Sequence, residues 1–291
     1  MSAPNPQSIL NAVQQALAED LSHGDVTTGA LFPSALQATA TIVAHQPMTV
    51  AGVAVAREVF LAVDPSVHIT TAVKDGSAVK PETSVLTVRG DIRSLLMAER
   101  VAVNFLQQLS GIATLTAQFC AAVRGYPTRI LDTRKTTPGL RTLEKWAVQL
   151  GGGKNHRFSL GDGVLIKDNH LRAAGGVTEA IALARQSVHH LLRVQVEVTT
   201  LDELREALEV GVDAVLLDNM DDRRLADAIG ITRAHPKGAG VVLEASGNMT
   251  AERIARLNRI GLDLVSMGGL VHQSRWADLS MEIAELDRGI Q

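Results

Sequence analysis

The chain has 291 residues, 46% of them hydrophobic and 3% aromatic, and its 28 Lys and Arg against 31 Asp and Glu give a formal charge of −3. That is enough apolar residue for one large domain or two ordinary ones, and it excludes both a disordered chain and a polycation built to coat nucleic acid. So few aromatic rings also argue against stacking platforms for single-stranded nucleic acid.

Ser8 to Leu21 is apolar at positions 9, 10, 13, 16, 17 and 21, the period of a helix. His23-Gly24-Asp25-Val26-Thr27-Thr28 reads as a turn, Ala38 to Ala44 as a strand and Val53 to Val63 as a helix. The first Lys or Arg is Arg57, so the basic region of a secretory or transit peptide is lacking. No apolar run approaches the roughly 18 residues of a membrane span, so a cytosolic (cytoplasmic) globular protein is expected. Ile69 to Val73 and Val85 to Arg89 read as strands, with Lys74-Asp75-Gly76 as a turn. A lipoyl-type hairpin over 68–90 would need a lysine at its tip, and Lys80, before Pro81, lies away from one. Ile92 to Val123 is helical with a break expected near Ser110-Gly111. Cys120 is the single cysteine, which excludes an internal disulfide framework and fits a reducing compartment.

From residue 129 short apolar runs alternate with helical segments. The runs cover 129–132, 164–167, 194–198, 214–218, 241–244 and 262–266. Thr200-Leu201-Asp202-Glu203 is a capping box, and Thr250 with Glu252 opens a helix ending near Gly261. Six strand–helix repeats predict an α/β fold with a parallel sheet. A full eight-fold barrel takes about 250 residues, so an incomplete or compact barrel is expected. A doubly wound open sheet is the alternative, although no strand leads into a G-x-G-x-x-G turn.

Almost every run ends in a functional side chain: Asp132-Thr133-Arg134-Lys135, Lys167, Glu197, Asp218, Glu244 with Ser246, and Ser266 before Gly268-Gly269. In parallel β/α folds these carboxyl ends form the active face. The segment 129–172 carries nine Lys and Arg against four Asp and Glu, so it is +5 and the rest of the chain −8. Such a concentration of cations predicts an anion site. Glu197 and Asp218 are hard oxygen donors suited to Mg²⁺ shared with phosphates, or else they pair with Lys167 or Arg134. Ser246-Gly247-Asn248 and Gly268-Gly269 suit a phosphate held by backbone N–H groups. In Gly151-Gly152-Gly153-Lys154-Asn155-His156-Arg157 the glycines imply close backbone approach, and His156 and Arg157 offer a proton group and a planar fork for carboxylate. His170 alone does not make a metal motif. Lys167 as a Schiff-base lysine is the main alternative chemistry.

These segments, with Lys167-Asp168-Asn169-His170, Leu217-Asp218-Asn219, Glu244-Ala245-Ser246-Gly247, Glu19-Asp20-Leu21, Gly24-Asp25-Val26-Thr27, Glu99-Arg100, Asn104 and Ser110 to Thr114, resemble the quinolinate phosphoribosyltransferase family, in order, from about residue 8 to 285. Met267 and Gly269 depart from a branched aliphatic and an alanine. The resemblance implies an N-terminal α/β sandwich domain over 1–112, an incomplete α/β barrel over 113–272 and a C-terminal helix over 273–291 packing back on the first domain. It implies a homodimer whose sites borrow Arg100 across the interface, and a higher assembly is compatible with it. The implied reaction converts quinolinate and phosphoribosyl pyrophosphate, with Mg²⁺, into nicotinate mononucleotide, pyrophosphate and CO₂, as in de novo NAD biosynthesis. Carried over, Lys135, Lys167, Glu197 and Asp218 are catalytic, and the two acids are also the metal ligands. Thr133, Arg134, His156 and Arg157 join Arg100 around the base. Ser246, Gly247, Asn248, Met267, Gly268 and Gly269 hold the 5′-phosphate. Nucleic acid and membrane partners are not expected. The rivals are a paralogue of molybdenum-transport operons acting on another base, a Lys167 aldolase, and an anion-storage protein.

Overall fold

The computed structural model describes residues 4–287. They form two compact units: one of residues up to Ala117, Thr136–Gly152 and those from Gly269 on, the other of Gln118–Lys135 and Gly153–Gly268.

In the first unit, α1 (Pro6–Asp20) starts on a proline and on Asn5, whose side chain accepts the Gln7 N–H, and it buries Ile9 and Val13. The stretch expected as a turn at 23–28 is half helix. Asp25 accepts the Thr28 N–H at 2.9 Å and so caps α2 (Val26–Leu31). Strands β1 (Gln37–Ala44) and β2 (Met48–Thr49) precede α3 (Val53–Val63). The expected turn at 74–76 serves that helix, because Asp75 accepts the Val53 and Ala54 N–H groups at its start. β3 (His68–Thr71), β4 (Ala78–Val79) and β5 (Thr83–Asp91) follow, and β1, β5 and β3 pair antiparallel in that order.

Helix α4 (Ile92–Ala122) runs unbroken through Ser110-Gly111 and through the boundary expected at 112/113. Its buried stripe includes Leu95, Ala98, Ala102, Leu106, Leu109 and Ala113, a helical period. The Ser-Gly pair is a packing point rather than a break. Ser110 Oγ accepts the Ala51 N–H at 2.9 Å and donates to the Ala51 carbonyl at 3.1 Å. Gly111 lies against the backbone of Arg275 and Trp276, where a Cβ would stand 2.1 Å from the Arg275 carbonyl oxygen. After β6 (Arg129–Leu131) the chain supplies α5 (Arg141–Leu150) to this unit. Buried Glu144 secures it, accepting from Gln108 Nε2 at 2.9 Å and from the Thr137 N–H at 2.8 Å.

The second unit is a parallel sheet. Its strands are β6, β7 (Val164–Ile166), β8 (Val194–Val198), β9 (Ala214–Asp218), β10 (Val242–Ser246) and β11 (Leu264–Ser266). They are crossed over by α6 (Asp168–Ala174), α7 (Val177–Ser187), α8 (Leu201–Val210), α9 (Asp222–Ala234) and α10 (Ala251–Leu257). The Thr200–Glu203 capping box is formed, and α10 runs through a 3₁₀ turn to left-handed Gly261. Strand order β6-β11-β10-β9-β8-β7 is that of a barrel, with the first strand beside the last. Among the described residues β6 and β7 do not pair, so the barrel is incomplete, as expected. Lys154 bridges to Leu131 on the outer edge of β6.

The last elements are α11 (Gly269–His272) and β12 (Leu279–Asp287). The helix expected over 273–291 is therefore corrected within the described residues: β12 pairs antiparallel with β1. Leu279, Met281, Ile283 and Leu286 stand opposite Ala44, Ile42, Ala40 and Ala38, the buried positions of β1. A bulge between Thr39 and Ala40 absorbs the odd step from 283 to 286. The resulting spacing of 2, 2 and 3 also satisfies a helical period at 279, 283 and 286, which is why the sequence misleads here.

Gly111→Ala should lower stability by about 1–3 kcal/mol despite alanine's better helix propensity, because backbone rather than a side chain must yield. Thermal melting checks this, and an unchanged Tm would show that the 275–276 segment gives way freely.

Candidate active site

Parallel pairing brings the strand ends to one edge. Asp218, Ser246 and Ser266 are in register, as are Ser266 and Leu131, so Asp132 emerges at the same edge. Two residues earlier on the same faces lie Glu197, Leu216 and Glu244. The run of strand-terminal polar residues is thus two tiers of one surface.

Lys167 and Glu197, on neighbouring strands, form an ion pair at 2.9 Å. The Lys167 side chain is 47% exposed. A Schiff-base lysine is activated by desolvation or a neighbouring cation, and this one has neither exclusion from water nor a cation as its partner. His170 belongs to local structure: its Nδ1 accepts the Lys167 N–H at 2.9 Å at the start of α6.

Arg134 follows β6 and Arg157 follows the triple glycine. Burial and the charge of Arg134 push the Arg157 pKa down, with Asp162 opposing. Both guanidiniums are candidates for an anion site. Arg157 Nη1 also donates to the Gly163 carbonyl at 3.0 Å. Asp162 ties its own loop by accepting the Phe158 and Ser159 N–H groups. Thr133 Oγ1 accepts the Lys135 N–H at 3.0 Å, which sets the turn that exposes Lys135.

His156 is clamped from below. Buried Asp132 accepts its N–H at 2.8 Å, and its ring Nε2 lies 3.4 Å from buried Glu244 Oε2. Gln195 Nε2 donates to the same oxygen at 2.9 Å. Burial penalises the Glu244 charge, yet His156, Ser266 and Gln195 together hold its pKa below the usual carboxylate value.

The loops after β9 and β10 interlock. Asn219 and Asn248 are left-handed, with φ of 53° and 50°, and so is Gly247 at 92°. A Cβ on Gly247 would stand 2.1 Å from Asn219 Oδ1. Arg253 collects the carbonyls of Met220, Gly247 and Asn248 on one guanidinium and pairs with Asp222 at 2.7 Å. Carbonyls drawn to that side leave the opposite side of the loop to N–H groups.

Asp218 accepts from Asn219 Nδ2 at 2.7 Å. Among the described residues no group of three or more His, Cys, Asp or Glu could hold a metal. Two carboxylates on adjacent strands nonetheless suit a magnesium ion that takes the rest of its shell from phosphate and water. Met267 donates its N–H to the Leu131 carbonyl at 2.9 Å, and Gly268 follows it. Gly269 and Arg100 belong to the other unit, and the Arg100 side chain is exposed. Asp132 and Glu244 are expected at strand ends without an assigned role, and Gln195 and Arg253 are not expected at all. Alternation in Val194-Gln195-Val196-Glu197-Val198 places Gln195 on the face of Glu197 and could have revealed it. Nothing in the sequence marks Arg253.

The family model of the quinolinate phosphoribosyl transferase C-terminal domain matches residues 112–282, and that of its N-terminal domain matches 25–110. A probable nicotinate-nucleotide pyrophosphorylase (carboxylating) of Synechocystis is 43% identical over 93% of this chain and 91% of its own. The Bacillus subtilis counterpart is 37% identical over 94% and 92%. A crystal structure of NadC from Streptococcus pyogenes superposes with a TM-score of 0.91 at 39% identity, covering 98% of this chain and 99% of that one.

The side-chain hydrogen bond from Arg253, with the nearby charges, lowers the Asp222 pKa. A depressed folded-state pKa adds stability that is present above the unfolded value, near 4, and lost as pH falls through the folded one. Asp222→Asn should therefore melt below the parent protein at about pH 7, with the gap closing as the pH falls below the unfolded value. A gap independent of pH would assign the effect to packing.

Proposed function

The chain belongs to the quinolinate phosphoribosyltransferase family, and we propose that its strand-end face joins quinolinate to phosphoribosyl pyrophosphate, releasing pyrophosphate and CO₂ and leaving nicotinate mononucleotide. The observation that carries this reading is the Lys167–Glu197 ion pair at the strand-end edge, the same edge from which Arg134 and Lys135 follow β6. Quinolinate brings two carboxylates and needs at least two cations. Arg134 and Arg157, with Lys135 and Lys167, supply them, and Arg100 joins from a second copy of the chain in a homodimer. His156, grouped with these cations by the family pattern, has both ring nitrogens directed at groups of its own chain.

As the pyridine nitrogen bonds to the anomeric carbon, the bond to pyrophosphate breaks and positive charge develops on the ribose. Glu197 and Asp218 stand where they can stabilise that charge. They would also hold Mg²⁺, which when bound neutralises the pyrophosphate leaving group. The Ser246-Gly247-Asn248 loop and Met267-Gly268-Gly269 take the 5′-phosphate through N–H groups. The pyridinium then accepts the electron pair as the adjacent carboxylate leaves as CO₂, and a proton replaces it on the ring. The protein's part is to hold that ring in place. No helix among the described residues is long and apolar enough to cross a membrane, and the single cysteine suits a reducing cytoplasm. A paralogue acting on another base is not favoured, because all the cations for a dicarboxylate are present.

Mixing the two substrates with Mg²⁺ should yield nicotinate mononucleotide by mass spectrometry, and its absence would end this reading. Nicotinate would leave a cation of the site without its carboxylate, so comparable kcat/KM for the two bases would also count against this reading. Saturating pyrophosphate should raise Tm, by about 2.7 kcal/mol of added stability at a hundredfold excess over Kd. Arg253→Met, which releases the loop carbonyls, should shrink that rise, whereas an equal rise would free the loop from any part in phosphate binding.

A further inference from the structure

Glu244 is 1% exposed inside the barrel. Its Oε2 receives Gln195 and faces His156, and Ser266 is also among the partners of the carboxylate. A carboxylate buried this fully is costly even when partnered, and a position of that kind calls for another reason. The His156 ring supplies one. Its Nδ1 accepts the N–H of Arg157 at 2.7 Å, so in this state Nδ1 carries no proton. The ring proton then belongs on Nε2, which points at Glu244.

We propose that Glu244, acting through His156, positions Arg157: the buried carboxylate selects the ring tautomer and orientation, and the ring fixes the backbone from which the guanidinium emerges. Glu244 and His156 are positioning residues, and Arg157 is the group that meets the ligand. Asp132 supports the same turn by holding the His156 N–H. That the ligand is the quinolinate carboxylate rests on the function proposed above.

Two measurements separate this relay from that function. The first is ¹⁵N NMR of the His156 ring in the unliganded protein, which needs no substrate. The expected result is an unprotonated Nδ1 in the parent protein and a changed tautomer population in Glu244→Gln. A protonated Nδ1 in the parent, or an unchanged population in the variant, overturns the relay whatever the enzyme does. The second is a quinolinate-binding cycle by calorimetry over the parent protein, Glu244→Gln, Arg157→Lys and the double variant. Glu244→Gln should weaken binding about tenfold, the worth of one charge-assisted hydrogen bond, and should weaken it little further once Arg157 is lysine. Equal losses in both backgrounds overturn the relay. If Glu244→Gln does not fold, His156→Ala, whose side chain is 15% exposed, runs the same cycle with the same expectation. If the parent does not bind quinolinate, the proposed function fails and the NMR result still decides the relay.

Discussion

Parallel pairing is the constraint on which the rest of this molecule depends. It sends every strand of the barrel in one direction, so the ends of β6 to β11 share an edge. It also fixes which residues share a level: Asp218 with Ser246 and Ser266, and Glu197 with Glu244 across Leu216. The chemistry is then a matter of which side chain each strand carries in its last three positions. The acid on β8 meets the lysine that follows β7.

The polar interior has a cost. Small barrels are ordinarily filled by branched apolar side chains, and here the filling includes Asp132, Glu244 and Ser266, all buried. The missing pairing between β6 and β7 belongs with this. The stretch between those strands carries the Lys154 bridge, the His156 clamp and the Arg157 loop, at the seam where the described residues show no pairing of β6 with β7.

Much of this was legible in the sequence. Strand runs ending in charged residues located β6 to β11, and the +5 segment located the cations. What escaped did so for physical reasons. Ser110-Gly111 looks like a helix break because small polar residues favour breaks, but here they admit two backbone segments against one helix. Leu279 to Leu286 fits a helix because a bulge inserts one extra residue into an alternating strand. Arg253 was invisible because its role lies in backbone carbonyls of two separate loops, 219–220 and 247–248, whereas Gln195 was within reach of the strand alternation but carries no sign of the carboxylate it meets.

The first unit is assembled from both ends of the chain. β1 pairs with β5 on one edge and with β12 on the other, and β12 is separated from β1 by the entire barrel. During synthesis, residues 37–44 must therefore wait with one edge unsatisfied while more than 200 further residues leave the ribosome. An open strand edge is a template for pairing with other chains. Nascent copies translated on one message hold that edge bare at the same time, so the arrival of β12 is also what ends their opportunity to join each other.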